Sequence, residues 1–143
     1  MSAEQNKQIT QRIIDELFNS GDTAAVCDYI HSEFVDHSPP PVSGFPTVGV
    51  ESVLAAISMF RGAFPDVHFA TDELIAEGDA VVQRYTMRGT SGGSLMGLPP
   101  TGRTVTMTGI NILRFRDGKC IEHRNEVDQL GLLQQLGAAP AHV

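Results

Sequence analysis

The stretch RTVTMTGINILRF, from Arg103 to Phe115, decides the fold together with the two segments that follow it. It is rich in Thr, Val and Ile, which favour β-strands. Asp117-Gly118 comes next, and then KCIEHRNEVD from Lys119 to Asp128. An Asp-Gly pair between two such runs predicts a β-hairpin, because a type I′ turn needs positive φ at both central residues.

Two asparagines are predicted to share one face of this hairpin. Side chains alternate along a strand, so Met107 and Asn111 lie on one face and Ile110 lies on the other. On the return strand, His123 and Asn125 share a face in the same way. If Asn111 faces a cavity, Asn125 can face it too, and this pair is where we place the function.

The remainder of the chain predicts helices first and strands afterwards. Ser2 with Gln5 forms a capping box, and apolar residues then recur at helical spacing up to Gly21, which is placed to end the helix. Asp22 is expected to cap a second helix that includes Ile30. The other predicted elements are a Pro-rich loop at 34–47, a helix at 50–64, strands at 67–76 and 80–90, a Gly/Pro-rich loop at 91–102 and a helix at 129–136.

This order of elements predicts one α+β domain that spans residues 1–143. Helices that precede a run of antiparallel strands gather on one face of a sheet. At 143 residues the chain is long enough to bury a single core. We therefore expect a curved antiparallel sheet around about three N-terminal helices, with a short C-terminal helix.

The composition argues against several classes of function. The formal charge of −7 and the isoelectric point near 5.0 argue against binding to nucleic acid or to an anionic membrane surface. The polar N-terminus and the lack of a long apolar run predict neither a signal peptide nor a membrane span. Cys27 and Cys120 have no metal-ligand spacing and favour reduced thiols in the cytoplasm.

Six stretches that cover nearly the whole chain are recognisable together. They are FVDH (34–37), FRGAFPD (60–66), AEGDAVVQRYTMRGT (76–90), GLPPTGRTV (97–105), FRDGKCIEH (115–123) and DQLGLLQQLG (128–137). In this combination the chain resembles the SnoaL-like polyketide cyclase family of the nuclear transport factor two-like superfamily. The resemblance implies a cone-shaped α+β barrel whose cavity opens at one end. It also implies intramolecular aldol condensation of an aromatic polyketide ester without metal or cofactor.

The resemblance further implies an acid–base pair, an Asp on the last strand and a His fourteen residues earlier. By position these fall on Asn125 and Asn111, and both are amides here. An amide does not exchange protons at accessible pH, although its N–H can bond to an enolate oxygen. Two hypotheses follow. One is a cofactor-free cyclase- or isomerase-type enzyme for an apolar, carbonyl-bearing substrate, and the other is a protein that binds a small apolar or aromatic ligand without turnover.

Three further ionisable residues are candidates for the site. Asp128 either caps the terminal helix, which position favours, or serves as a substitute base. His37 either exchanges protons at the mouth of the cavity or pins the Pro-rich loop. His123 shares its face with Asn125, but a packed histidine is the favoured interpretation. The remaining histidines, His31, His68 and His142, are expected at the surface.

Arg84 is predicted to lie inside the cone, on the same face as Val82. A guanidinium among apolar side chains needs an anion. Asp72 and Arg84 are equidistant from Gly78 in the second hairpin. An internal ion pair between them is therefore favoured slightly over a bond from Arg84 to a ligand.

The other face of the sheet is predicted to mediate a homodimer. Mixed apolar and charged faces of this size commonly associate. The residues assigned to this face are Gln83, Tyr85, Ile110, Ile112, Arg114 and Arg124.

Apolar side chains are expected to line the cavity. Met96 and Leu98 stand in a Gly/Pro-rich loop, which can act as a lid. No metal site is predicted, because Asp36-His37 and Asp66 with His68 are isolated pairs. The proposed apolar lining consists of Phe60, Phe64, Met87, Met96, Leu98 and Met107.

Overall fold

The computed structural model describes residues 2–139, in which helices pack against a curved, unclosed five-stranded sheet. The strand order is β1-β5-β4-β3-β2. The α+β class and the cone-like arrangement are confirmed. The strands are β1 (Ile30–Asp36), β2 (His68–Glu77), β3 (Ala80–Thr90), β4 (Thr104–Arg116) and β5 (Lys119–Val127). The helices are α1 (Ala3–Arg12), extended by a π-helical segment (Ile13–Asn19), α2 (Val26–Tyr29), α3 (Val50–Ala63) and α4 (Gln129–Gln135).

The hairpin that decides the fold is confirmed. Asp117 and Gly118 have φ values of 54° and 76°, as a type I′ turn requires. The turn sets the register of β4 against β5, and in that register Asn111 pairs directly with Asn125. The two asparagines therefore lie side by side on one face of the sheet.

The N-terminal helix begins as predicted and the second helix does not. The Ser2 hydroxyl accepts from the backbone N–H of Gln5, and the Gln5 side chain accepts from Ser2 N–H, which completes the capping box. Gly21, with φ of 69°, follows the end of the π-helical segment. Asp22 does not cap α2. Its carboxylate accepts from Ala24 N–H instead, and α2 is a single turn.

β1 corrects the predicted antiparallel arrangement. The prediction of a helix through Ile30 and a loop from Phe34 is wrong, because these residues belong to an edge strand that runs parallel to β5. The strand has an irregular register between Ile30 and Val35, which blurs the alternation that marks a strand in sequence. The three prolines at 39–41 follow the strand and do not interrupt it.

The face assigned to β3 is also wrong. Gln83 pairs with Asn111 and is fully buried, so it lies on the inner face. Arg84 lies on the outer face with a side chain that is 51% exposed. The expected ion pair to Asp72 exists at 3.6 Å, but it is at the surface and is joined by a 2.9 Å contact to Glu73. A bulge between Thr71 and Glu73 shifts the pairing that equal spacing from the turn would give.

The core consists of two clusters of buried apolar side chains. Phe64, Met87 and Tyr85 belong to one cluster, and Leu17 and Val81 belong to the other. Both clusters border the space between the sheet and the helices. Within residues 2–139, no helix combines the length and apolar character needed to cross a membrane.

Candidate functional site

A cavity of about 200 Å³ lies between α3 and the inner face of the sheet. It is larger than a cavity of ~150 Å³ that is known to hold benzene. Successive turns of α3 contribute Val53, Ala56 and Phe60 to one wall. Phe60 and Phe69 meet edge to face with ring centroids 5.3 Å apart. The walls are therefore mostly apolar and are suited to a small apolar or aromatic molecule.

Asp36 and His123 form a pair inside this cavity. They are direct partners across the parallel β1–β5 edge. Asp36 Oδ1 lies 3.1 Å from His123 Nδ1, and the Asp36 side chain is only 9% exposed. Of the described residues that line the cavity, Asp36 is the only carboxylate and His123 is the only imidazole. This pair is the ionisable centre of the site.

A chain of hydrogen bonds begins at His123 on β5 and extends over β4 and β3 to β2. His123 Nε2 lies 2.8 Å from Asn111 Oδ1. Asn111 Nδ2 donates to Gln83 Oε1 at 2.9 Å, and Gln83 Nε2 donates to Thr71 Oγ1 at 2.8 Å. In this arrangement the two ring nitrogens of His123 face oxygen atoms of Asp36 and Asn111. The chain thereby orients the imidazole toward Asp36.

The Asp36 carboxyl is kept ionised by its neighbours. Burial would raise its pKa, but the hydrogen bond and the charge of His123 and the backbone N–H of Ser38 hold the pKa below its ordinary value. The hydrogen bonds from Ser38 N–H and from the His123 ring both meet Oδ1. Within the described residues Oδ2 makes no hydrogen bond, so this oxygen is available to a molecule in the cavity.

Asn125 and Tyr85 add hydrogen-bond donors to the same cavity. Asn125 uses its backbone N–H to bind Ser38 Oγ at 3.1 Å, and its side-chain amide has no partner within residues 2–139. The Tyr85 hydroxyl likewise has none there. Burial raises the pKa of Tyr85 to about 12, so the phenol stays protonated and can donate. Tyr85 lies across Gly109, where a Cβ atom would come within 2.5 Å of the hydroxyl.

Three predicted site residues lie outside the cavity. His37 points away from it and contacts Glu122, with Nε2 2.9 Å from the carboxylate. Asp128 caps α4 by accepting from Gly131 N–H at 2.9 Å, as position favours. Arg84 is held at the outer face. The interpretations of His37 as a proton carrier, of Asp128 as a base and of Arg84 as an inner cation are not supported by this geometry.

Three of the six residues predicted to form the apolar lining border this cavity. Phe60, Met96 and Met107 line the cavity, whereas Phe64 and Met87 are fully buried in the core beside it. Leu98 does not line it. Leu98 forms a β-bridge with Leu95, and Leu95 lines the cavity in its stead. The loop contacts α4, where Gln129 Nε2 lies 3.8 Å from the Met96 sulfur.

His31 and His68 do not line the cavity. His68 is exposed and His31 is partly exposed, while His142 lies outside the described residues. Among residues 2–139, no three His, Cys, Asp or Glu side chains come together as a metal site would require.

Sequence reasoning missed Asp36, Gln83 and Tyr85. A strand at FVDH would have put Phe34 and Asp36 on the inner face and His37 on the outer face. In β3 the sequence predicts that Met87 faces inward. Because side chains alternate along a strand, Gln83 and Tyr85 lie on the same face as Met87, and Arg84 lies on the opposite face. In both β1 and β3, the alternation of inward and outward side chains could therefore have been read from the sequence.

Comparisons with known proteins agree with this architecture. Residues 8–136 match the family model described as SnoaL-like polyketide cyclase. The chain is 33% identical over 124 residues to aklanonic acid methyl ester cyclase DnrD of Streptomyces peucetius, covering 85% of this chain and 84% of the relative. It is 30% identical over 121 residues to nogalonic acid methyl ester cyclase of Streptomyces nogalater, covering 84% and 89%. The structure of TsrD from Streptomyces laurentii superposes with a TM-score of 0.85 at 30% identity, covering 96% and 98% of the two chains.

Proposed function

Because the chain belongs to the SnoaL-like polyketide cyclase family, we propose that it is a cofactor-free cyclase whose acid–base group is Asp36, supported by His123. The proposed substrate is a largely apolar polyketide ester with at least two carbonyl groups. The contact between Asp36 and His123 inside the cavity carries this proposal, because it supplies the ionisable group that Asn111 and Asn125 cannot.

Asp36 performs both proton transfers in the proposed reaction. Its free Oδ2 removes a proton from a carbon next to one carbonyl group, which leaves an enolate. The enolate carbon attacks a second carbonyl carbon, and the ring closes with negative charge on that oxygen. The protonated Asp36 then returns its proton to this oxygen, so the carboxylate is regenerated and the product is an isomer of the substrate.

The neutral donors stabilise the charge that develops on oxygen. The Asn125 amide and the Tyr85 hydroxyl face the cavity and have no partner among residues 2–139, so both can bond to an enolate or alkoxide oxygen. His123 acts through Asp36 by holding its orientation and its charge. Asn111 positions His123 in turn.

A ligand-binding protein without turnover is the second candidate function. The observation that favours it is that both nitrogens of His123 and one oxygen of Asp36 are already engaged within the protein. In that case Asp36 and His123 serve only to complete the polar wall of a binding cavity.

Turnover of aklanonic acid methyl ester, the compound for which one relative is named, separates the two functions. The proposal predicts a product of unchanged mass but altered chromatographic retention. Asp36→Asn should lower kcat by about 10²- to 10⁴-fold while ligand affinity is kept. His37→Asn is the matched control, because the neighbouring side chain faces outward. Binding of the ester with no product from the unaltered protein would instead establish the second function.

We also propose a homodimer that packs through the outer face of the sheet. Ile110 and Ile112 are 44% and 37% exposed there, and Ile75 is 58% exposed. Arg124 and Glu126 flank them on β5, and a two-fold axis would let each meet its opposite charge on the other copy. Light scattering should give about twice the chain mass of 15.4 kDa, and a monomer would refute the proposal. The unpaired thiols of Cys27 and Cys120 support a cytoplasmic location.

A further inference from the structure

Ser52 is a buried polar residue in the cavity wall whose hydroxyl is not used by the fold. It lies in the first turn of α3, its residue surface is 1% exposed, and it lines the cavity. Its Oγ atom has no hydrogen-bond partner within the described residues. A serine in a helix can bond to the carbonyl four residues earlier, but this one does not. The Oγ atom is itself enclosed in the empty protein, and a rotation about the Cα–Cβ bond would turn it toward the cavity.

The surroundings of Ser52 are otherwise apolar on the side of α3. Val53 and Ala56 continue the same wall. The beginning of α3 is fixed beside β1, since Gly49 N–H donates to Phe34 O at 2.7 Å. Ser52 thus lies in the helix-side wall of the cavity, next to the strand that carries Asp36. An unpartnered hydroxyl at such a place is unfavourable to the empty protein, which is typical of a group kept for ligand binding.

We propose that Ser52 is a specificity-determining residue that bonds to an oxygen substituent, a hydroxyl or a carbonyl, on the ligand of this cavity. The inference deepens the proposed function, because it concerns which molecules the same cavity accepts. A site that hydrogen-bonds a ligand oxygen rejects the analogue that lacks this oxygen, since the serine hydroxyl is then left unpaired. Ser52 takes no part in proton transfer.

Two probe molecules of matched shape test the proposal. 2-Naphthol and 2-methylnaphthalene differ by a hydroxyl in place of a methyl group, and the ratio of their dissociation constants measures the preference for oxygen. Ser52→Ala should reduce this preference by about five- to tenfold. Ser58→Ala is the matched control, because Ser58 belongs to the same helix and is exposed, and it should leave the ratio unchanged.

The thermal stability of the ligand-free variant gives a second readout. If Ser52 is kept for the ligand, Ser52→Ala removes an unpaired buried hydroxyl and should leave Tm unchanged or higher. A lower Tm together with an unchanged preference ratio would show that Ser52 serves the fold, and it would overturn the proposal. An unchanged ratio at any Tm would also overturn it.

The experiment keeps this inference separate from the catalytic proposal. Asp36→Asn should stop turnover of the ester. In the Asp36→Asn background, Ser52→Ala should still reduce the ratio of the two dissociation constants by the same factor. Loss of the preference in Ser52→Ala with full turnover in Asp36→Asn would support the subsite and refute the cyclase mechanism. Retention of the preference in Ser52→Ala with no turnover in Asp36→Asn would refute only the subsite.

Discussion

Asp36 and His123 face each other across the single parallel pairing of the described sheet, with Oδ1 and Nδ1 3.1 Å apart. β1 and β2 are the two edge strands of the sheet. The Asp36 carboxylate therefore reaches the cavity from the edge opposite to β2. The acid–base position that the family resemblance implies on β5 is an amide here, and a carboxylate on the neighbouring strand lies beside it. In the proposed function the ionisable group of the cavity is therefore supplied by β1 and not by β5.

The amide of Asn125 should contribute to catalysis as a hydrogen-bond donor. Asn125→Ala removes a donor that faces the cavity and has no partner in the described part of the chain, and we expect kcat to fall by about 10²- to 10³-fold. Asn125→Asp should also be impaired, because an ionised carboxylate accepts and does not donate. Steady-state kinetics on the methyl ester measures both variants. Higher activity in Asn125→Asp than in the unaltered protein would show that the β5 position is the base.

The Asp36–His123 pair should make stability depend on pH in the acid range. The pKa of Asp36 is lower in the folded protein than in the unfolded chain, so ionised Asp36 stabilises the fold at pH values above its unfolded pKa. This contribution is lost as the pH falls through the folded pKa. The difference in free energy of unfolding between the unaltered protein and Asp36→Asn should therefore shrink below the ordinary carboxyl range. Urea titrations at several pH values measure it, and a difference that is independent of pH would contradict the assignment.

Gly109 should be required for the position of Tyr85. A Cβ atom at Gly109 would lie 2.5 Å from the Tyr85 hydroxyl and 2.6 Å from its Cζ, so Gly109→Ala forces the ring to move. We expect a loss of about 1–3 kcal/mol in the free energy of unfolding. Gly62→Ala, in α3, is the control, because a Cβ there meets nothing within 4 Å and should stabilise by about 0.4–1 kcal/mol. Equal stabilities of the two variants would refute this packing.

Arg84 should be dispensable for ligand binding and turnover. Its guanidinium bonds to Glu73 on the outer face, and the exposed ion pair is screened by solvent. Arg84→Ala should keep kcat and KM within about twofold of the unaltered protein. A large rise in KM would mean that the side chain reaches the cavity, as the sequence predicted.

The sequence predicts local structure well where one signal fixes both turn and register. Asp117-Gly118 does this, and the pairing of Asn111 with Asn125 follows from it. It predicts less where a strand has an irregularity. Because of the bulge before Glu73, counting residues from Gly78 gives the wrong cross-strand partner for Arg84. The register shift in β1 likewise blurs the alternating pattern of the strand that carries Asp36.

The contacts that make the site were beyond the sequence pattern for a further reason. His123 could be placed on the face of Asn125, but its partner Asp36 is 87 residues away along the chain. No local spacing reports such a contact, because it depends on how an edge strand docks onto the sheet.

The role of Asp36 as the base can be measured by proton abstraction in the absence of ring closure. An analogue of the ester that keeps the acidic carbon but lacks the second carbonyl can be incubated with the protein in deuterated buffer and followed by NMR. We expect the unaltered protein and His37→Asn both to accelerate deuterium incorporation at this carbon, and Asp36→Asn to be slower by about 10²-fold or more. Equal rates of incorporation with Asp36→Asn and the unaltered protein would show that Asp36 is not the base.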